Sequence, residues 1–160
     1  IVGILYERRH TRLISDYGGI SQNMPVYATV FLIMTMSSIG LPTLNGFVGE
    51  VMILMGIFAD PANRFWAVAG VAGIVLGAAY MLWLYQRVMF GENDNPKNQG
   101  LTDLTSRELA TFVPLIVLAF WIGLYPKTFL QYLHDPVNEI VEIVRPGEFP
   151  AISEQNAAKE

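Results

Sequence analysis

Three long stretches of this sequence carry almost no charge, and that limits the chain to very few kinds of fold. Residues 25–59, 65–90 and 109–133 hold most of the hydrophobic side chains, and the charges collect between them. Runs of about 18 or more nearly uncharged residues are long enough to cross hydrocarbon as helices. Only 15% of the chain is charged, against about 25% in soluble domains. The pattern predicts an all-α membrane protein, a bundle of transmembrane helices.

Composition also removes several function classes. The net charge is −4 and no lysine-rich block exists, which argues against nucleic-acid binding. Cysteine is absent, so within this chain there is no disulfide, iron–sulfur ligation or thiolate zinc site. His10 and His134 stand alone, without carboxylates at metal-ligand spacing, and no metal site is expected. The glycines of GVAGIVLG do not form a nucleotide loop, because no strand precedes them. The opening IVGILYERRH reads as the last turn of a helix entering a polar loop. The chain is accordingly expected to be the C-terminal part of a longer protein, with no signal peptide.

Along the chain, residues 1–24 read as a helix end and a loop in which Arg8, Arg9 and Arg12 of ERRHTR act as topology determinants. The apolar stretch that follows, residues 25–59, is about 35 residues, which as one helix would measure roughly 52 Å at about 1.5 Å per residue. Hydrocarbon is about 30 Å thick, so one straight helix is too long. Two short spans joined at Gly40–Pro42, or one crossing made of two half-helices, both fit, and the distribution of Lys and Arg favours neither. Residues 65–90 form a clearer span, with Ala69, Gly73 and Gly77 on one face. That face is expected to pack on the last span, with a leucine at Gly73 forcing the two apart.

Residues 91–107 are a hydrophilic, turn-rich loop in which Glu92, Asp94 and Asp103, like Asp16 earlier, read as solvated. Thr105 and Glu108 fit a capping box that opens a span over residues 108–133. Residues 134–160 read as an amphipathic helix lying on the membrane or a neighbouring subunit, followed by a disordered polar tail.

One residue carries the chemical interest. Glu50 is the single charged side chain between Val26 and Ala59, and a mid-bilayer carboxylate costs on the order of 2.5–3.5 kcal/mol by insertion scales. Such a group faces the protein interior, pairs, or exchanges a proton. Just before it stands GLPTLNG, where Pro42 cannot donate a hydrogen bond and Gly40, Gly46 and Gly49 loosen the chain. Thr35, Ser37, Ser38, Thr43 and Asn45 supply polar side chains. Irregular backbone at membrane depth survives only where protein buries it or water reaches it. Break and carboxylate are therefore expected to form one proton site.

The stretches LYERRHTR, YGGI and GLPTLNGFVGE, followed by VMILMGIF, resemble one family closely. They are similar to the antiporter-like subunits of proton-pumping NADH:quinone oxidoreductase (respiratory complex I), and among them to chain M, since chains L and N carry lysine where GFVGE ends in Glu50. The resemblance reaches from the first residues to about Leu133. It implies the C-terminal part of the antiporter-like fold with a discontinuous helix over residues 25–59, and Glu50 as the proton-exit carboxylate. It also implies a cytoplasmic ERRHTR loop and residues 91–107 on the same side. Partners would be the other membrane subunits, the neighbouring chains L and N among them, in a bacterial plasma membrane. NADH, FMN, iron–sulfur clusters and quinone would lie on other subunits, with no cofactor and no redox centre here. An Mrp-type sodium/proton antiporter or a membrane-bound hydrogenase is the alternative setting.

Overall fold

The structure, a computed structural model, describes residues 1–144; the polar tail expected beyond Pro146 lies outside them. The chain divides into two units, Ile1–Leu124 and Tyr125–Glu160. In the first, α1 (Val2–Arg9), a 3-10 turn and α2 (Ile20–Asn23) lead into α3 (Pro25–Ser38) and α4 (Asn45–Ala59). After a second 3-10 turn at Pro61–Asn63 come α5 (Arg64–Met89), the single turn α6 (Pro96–Gln99) and α7 (Ser106–Leu124). Among the described residues there is no strand.

Packing along α5 decides between the two arrangements left open for residues 25–59. Tyr27, Ala28 and Phe31, at the start of α3, share a buried cluster with Tyr85, Val88 and Met89 at the end of α5. The Tyr85 hydroxyl donates to the Ala28 carbonyl (3.2 Å). Leu54, Met55, Phe58 and Ala59, at the end of α4, line one apolar cavity with Ala67, Val68 and Val71 near the start of α5. Between those two regions, Ser38, Ile39 and Glu50 lie opposite Gly70, Gly73 and Gly77. α3 and α4 therefore run end to end along one helix, antiparallel to it. At about 1.5 Å per residue each half is roughly 21–22 Å long, too short to span alone, while α5 is roughly 39 Å. The stretch is one broken crossing, not two side-by-side spans.

Two helical stretches, Pro61–Met89 and Ser106–Leu124, are each long and apolar enough to cross a membrane. Only 6% and 11% of their most apolar windows are buried inside the protein. Val68, Val75 and Leu76 stand more than 60% exposed, a surface suited to lipid and not to water.

Two expectations about these spans change. α5 does not pack mainly on α7; both helices pack on α3 and α4. A Cβ at Gly73 would meet nothing within 4 Å, so no helix packs directly against that glycine. The last span was expected to reach Leu133, yet α7 stops at Leu124. Pro126 has no N–H and disfavours helical φ/ψ at Tyr125. In the second unit, α8 (Lys127–Leu130), a 3-10 turn and α9 (His134–Val144) follow, and Val137, Ile140 and Ile143 of α9 stand half or more exposed.

The polar end of the first unit is tied together more closely than its composition suggested. α3 has no side-chain cap of its own at Met24, and Pro25 occupies its first turn. The free N–H groups of Val26 and Tyr27 donate instead to the two carboxylate oxygens of Asp103 (2.8 and 2.9 Å). Asp103 is thus a helix cap supplied from a distant loop, not a solvated charge. Arg8 donates to the Asp103 carbonyl (3.2 Å) and pairs with Glu108 (2.8 Å). Thr105 and Glu108 form the expected capping box, each side chain accepting from the other's backbone N–H (2.7 and 3.3 Å). Asn98, only 1% exposed, accepts from Arg9 (2.7 Å) and donates to the Asp16 carbonyl (3.0 Å).

Two outcomes follow from this end of the molecule. Asp103→Ala orphans the α3 amides and lowers stability by about 0.5–2 kcal/mol, read as a lower melting temperature with faster amide exchange at Val26 and Tyr27. Unchanged exchange there would mean that the cap contributes nothing. Because α5 separates Pro61–Asn63 from the loop after Met89, single cysteines at Ala62 and Lys97 should react with an impermeant thiol reagent from opposite faces of oriented vesicles. Both positions are exposed, and the chain has no cysteine of its own. Labelling from one face would place α5 wrongly in the bilayer.

A carboxylate folded back onto a helix break

The break between α3 and α4 closes its own hydrogen bonds. The Ile39 N–H donates to the Thr35 carbonyl and the Leu41 N–H to the Met36 carbonyl (both 3.0 Å). Gly40 between them has φ 72°. This is a Schellman C-cap, which needs a left-handed residue at that point and so favours glycine. Next, the Leu44 N–H donates to the Leu41 carbonyl (3.0 Å), closing a turn with Pro42 second and Thr43 third. Thr43 has φ 88°. A positive φ at that turn position suits glycine or asparagine; a β-branched residue there is strained, at a cost of order 1–3 kcal/mol.

Side chains stitch the two halves across the turn. The Ser37 hydroxyl donates to the Asn45 side-chain carbonyl in a short bond. The Ser37 backbone carbonyl lies directly against Gly46, where a Cβ would collide with it. Thr35 and Leu44 are buried on either side. Gly49 differs from the other two glycines: nothing lies within 4 Å of where its Cβ would stand, so the break does not need glycine there.

Glu50 lies in the second turn of α4 and is half-buried. Helical Cα–Cβ bonds tilt toward the N-terminus, so its side chain leans back toward the break. Its carboxylate rests on Gly40, close enough that any Cβ at Gly40 would overlap it. One glycine thus serves twice, giving α3 its left-handed stop and giving the carboxylate its seat. Among the described residues, none hydrogen-bonds or ion-pairs with Glu50; the ion pair present is Arg8–Glu108, at the polar end. Glu50 and Ser38 line a cavity of about 310 Å³ whose far wall is Gly70, Gly73, Gly77 and Tyr80 of α5. A partly polar cavity of this size has room for several water molecules.

The structure therefore gathers Ser37, Ser38, Gly40, Asn45, Gly46 and Glu50 at one place, with Pro42 in the turn beside them. What sequence reasoning missed is the opposite wall. Gly73 and Gly77 carry the spacing of a packing face, because small residues one turn apart signal close approach equally for a helix and for a cavity; Gly70 joins them in the wall. A second omission is Gly123 of α7, which lies against the Thr43 carbonyl. Nothing local in the sequence marks it.

Several known proteins are similar to this chain. The family model described as NADH:quinone oxidoreductase/Mrp antiporter, TM, matches residues 1–77. NADH-quinone oxidoreductase subunit M of Rhodobacter capsulatus is 42% identical over 141 residues, 88% of this chain and 27% of the relative. Chain 4 of the NADH-ubiquinone oxidoreductase of Marchantia polymorpha is 41% identical over the same share of this chain. Subunit M of Rickettsia prowazekii is 44% identical. The chain spans about 28% of the length of these relatives. A chain in the structure of respiratory complex I from Thermus thermophilus with bound NADH superposes with a TM-score of 0.72 and 34% identity, covering 83% of this chain and 27% of that one. Over the matched residues the chain is similar to the antiporter-like membrane subunits described as NADH:quinone oxidoreductase/Mrp antiporter, TM.

Proposed function

We propose that this chain forms part of a proton-translocating membrane subunit of NADH:quinone oxidoreductase, and that Glu50 takes up and releases the proton. The observation that carries the reading is a half-buried carboxylate with no ionic partner among the described residues, facing a partly polar cavity beside a helix break. A carboxylate locked to an arginine would stay ionised; one that faces water and loosened backbone can exchange its proton. Ser37, Ser38, Gly40, Pro42, Asn45 and Gly46 are the proposed support; Gly49, expected among them, has nothing within 4 Å of a Cβ position and is not part of it. Of these, Gly40 seats the carboxylate, and Ser37 with Asn45 holds the two half-helices in register.

In this reading the ERRHTR loop and residues 91–107 face the cytoplasm of a bacterial plasma membrane. The neighbours are other membrane subunits, including chains L and N. NADH oxidation and quinone reduction proceed on other subunits, which hold FMN and the iron–sulfur clusters. The chain contributes a proton step and no electron step.

Glu50→Gln keeps the shape and removes the exchangeable proton. In the assembled complex, NADH-driven proton uptake into inverted vesicles should fall by about 100-fold, the lower end of what a positioned proton-transfer group contributes. Quinone reduction should slow with it, while Glu50→Asp retains part of both. Normal uptake by an assembled Gln variant would reduce Glu50 to a structural residue, and uptake that follows a sodium gradient instead of NADH would favour the antiporter setting.

The cavity wall offers an independent check. A Cβ at Gly73 meets nothing within 4 Å, and the rest of a leucine there would occupy space opposite Glu50. Gly73→Leu should assemble normally and lower proton uptake several-fold; full uptake would exclude this cavity as the proton's route.

A further inference from the structure

The contact between α7 and the break is unusually close, and it is backbone against backbone. A Cβ added at Gly123 would collide with the carbonyl oxygen and carbon of Thr43 and would stand 2.5 Å from the Leu44 nitrogen. None of these atoms belongs to a flexible side chain, so none can swing away. The peptide that Gly123 receives is the one that follows the strained φ of Thr43. The Leu44 N–H of the same peptide unit closes the turn onto Leu41, and that turn is continuous with Gly40, on which the Glu50 carboxylate rests. Moving the Thr43–Leu44 peptide therefore moves the seat of the carboxylate.

We infer that Gly123 is a positioning residue for Glu50: its bare Cα surface receives the Thr43–Leu44 peptide and holds the break in the one shape that keeps the carboxylate over Gly40. The inference rests on the proton-transfer reading of Glu50 for its functional half. It does not rest on glycine being favoured in a helix, because alanine is the better helix former. If room existed at residue 123, Gly123→Ala would be silent or stabilising.

The experiment uses the whole assembled complex and compares Gly123→Ala with Gly56→Ala, a control on α4 where a Cβ meets nothing within 4 Å. Gly123→Ala should speed amide exchange at Leu41 and Leu44, lower NADH-driven proton uptake at least several-fold and shift its pH profile, while Gly56→Ala does none of these. Adding Thr43→Gly should recover part of the lost uptake, because glycine lets the turn settle in a new conformation without strain. Unchanged exchange in Gly123→Ala would overturn the inference. So would faster exchange with normal uptake in a complex that Glu50→Gln disables, since the break would then move without consequence for the site. Faster exchange with normal uptake in both variants would remove the role of Glu50 and leave Gly123 as the residue that holds the break.

Discussion

In hydrocarbon no water stands ready to satisfy an amide, so every backbone group of an interrupted helix must find its partner inside the protein. Much else in this chain can be understood from that constraint. Interrupting residues 25–59 frees carbonyls at the end of α3 and amides at the start of α4. Leu41, bonded back to Met36, and Leu44, bonded back to Leu41, account for part of them. The remainder of the arrangement is a matter of fitting bare backbone against backbone, which is why glycine recurs at Gly40, Gly46 and Gly123 and why the same atoms bound the Glu50 site. The loosened segment is tightly built, and its polarity is local.

The same constraint operates at the polar end with a different solution. There the chain has carboxylates and amides available, and it uses them at long range. Asp103 caps α3 across 77 residues of sequence, Arg8 reaches Asp103 and Glu108, and Asn98 is buried between Arg9 and Asp16. α3 is thus held at its first turn by a loop and at its last turn by a Schellman cap. The two restraints set where the break lies along α5. With α3 only 14 residues long, Glu50 comes to rest opposite Gly70, Gly73 and Gly77 and away from both ends of the bundle.

Several features were legible before any coordinates. The uncharged runs locate the apolar helices, although α7 ends at Leu124, the Thr105–Glu108 spacing marks a helix start that forms as the pattern predicts, and the Pro–Gly cluster before Glu50 marks an interruption. Each is a signal between near neighbours or a property of composition. Features built from residues far apart were not legible. Asp103 has the composition of a solvated loop charge and becomes a cap only when the fold brings it to Val26. The glycines of α5 have the spacing of a packing face and become a cavity wall because α7 packs elsewhere.

What the sequence by itself determined, then, is how many apolar helices must be accommodated, where one of them breaks, and that a single carboxylate accompanies the break. Hydrophobic length and the loss of hydrogen-bond donors at proline are local quantities, and they survive in any arrangement of the chain. Only the tertiary structure decided that α3 and α4 share one crossing, that Glu50 leans back onto Gly40, and that Gly123 receives the Thr43 peptide. Those outcomes depend on close approach between surfaces separated by up to 80 residues. Close approach is set by how α5 and α7 pack, which no pattern within the break specifies.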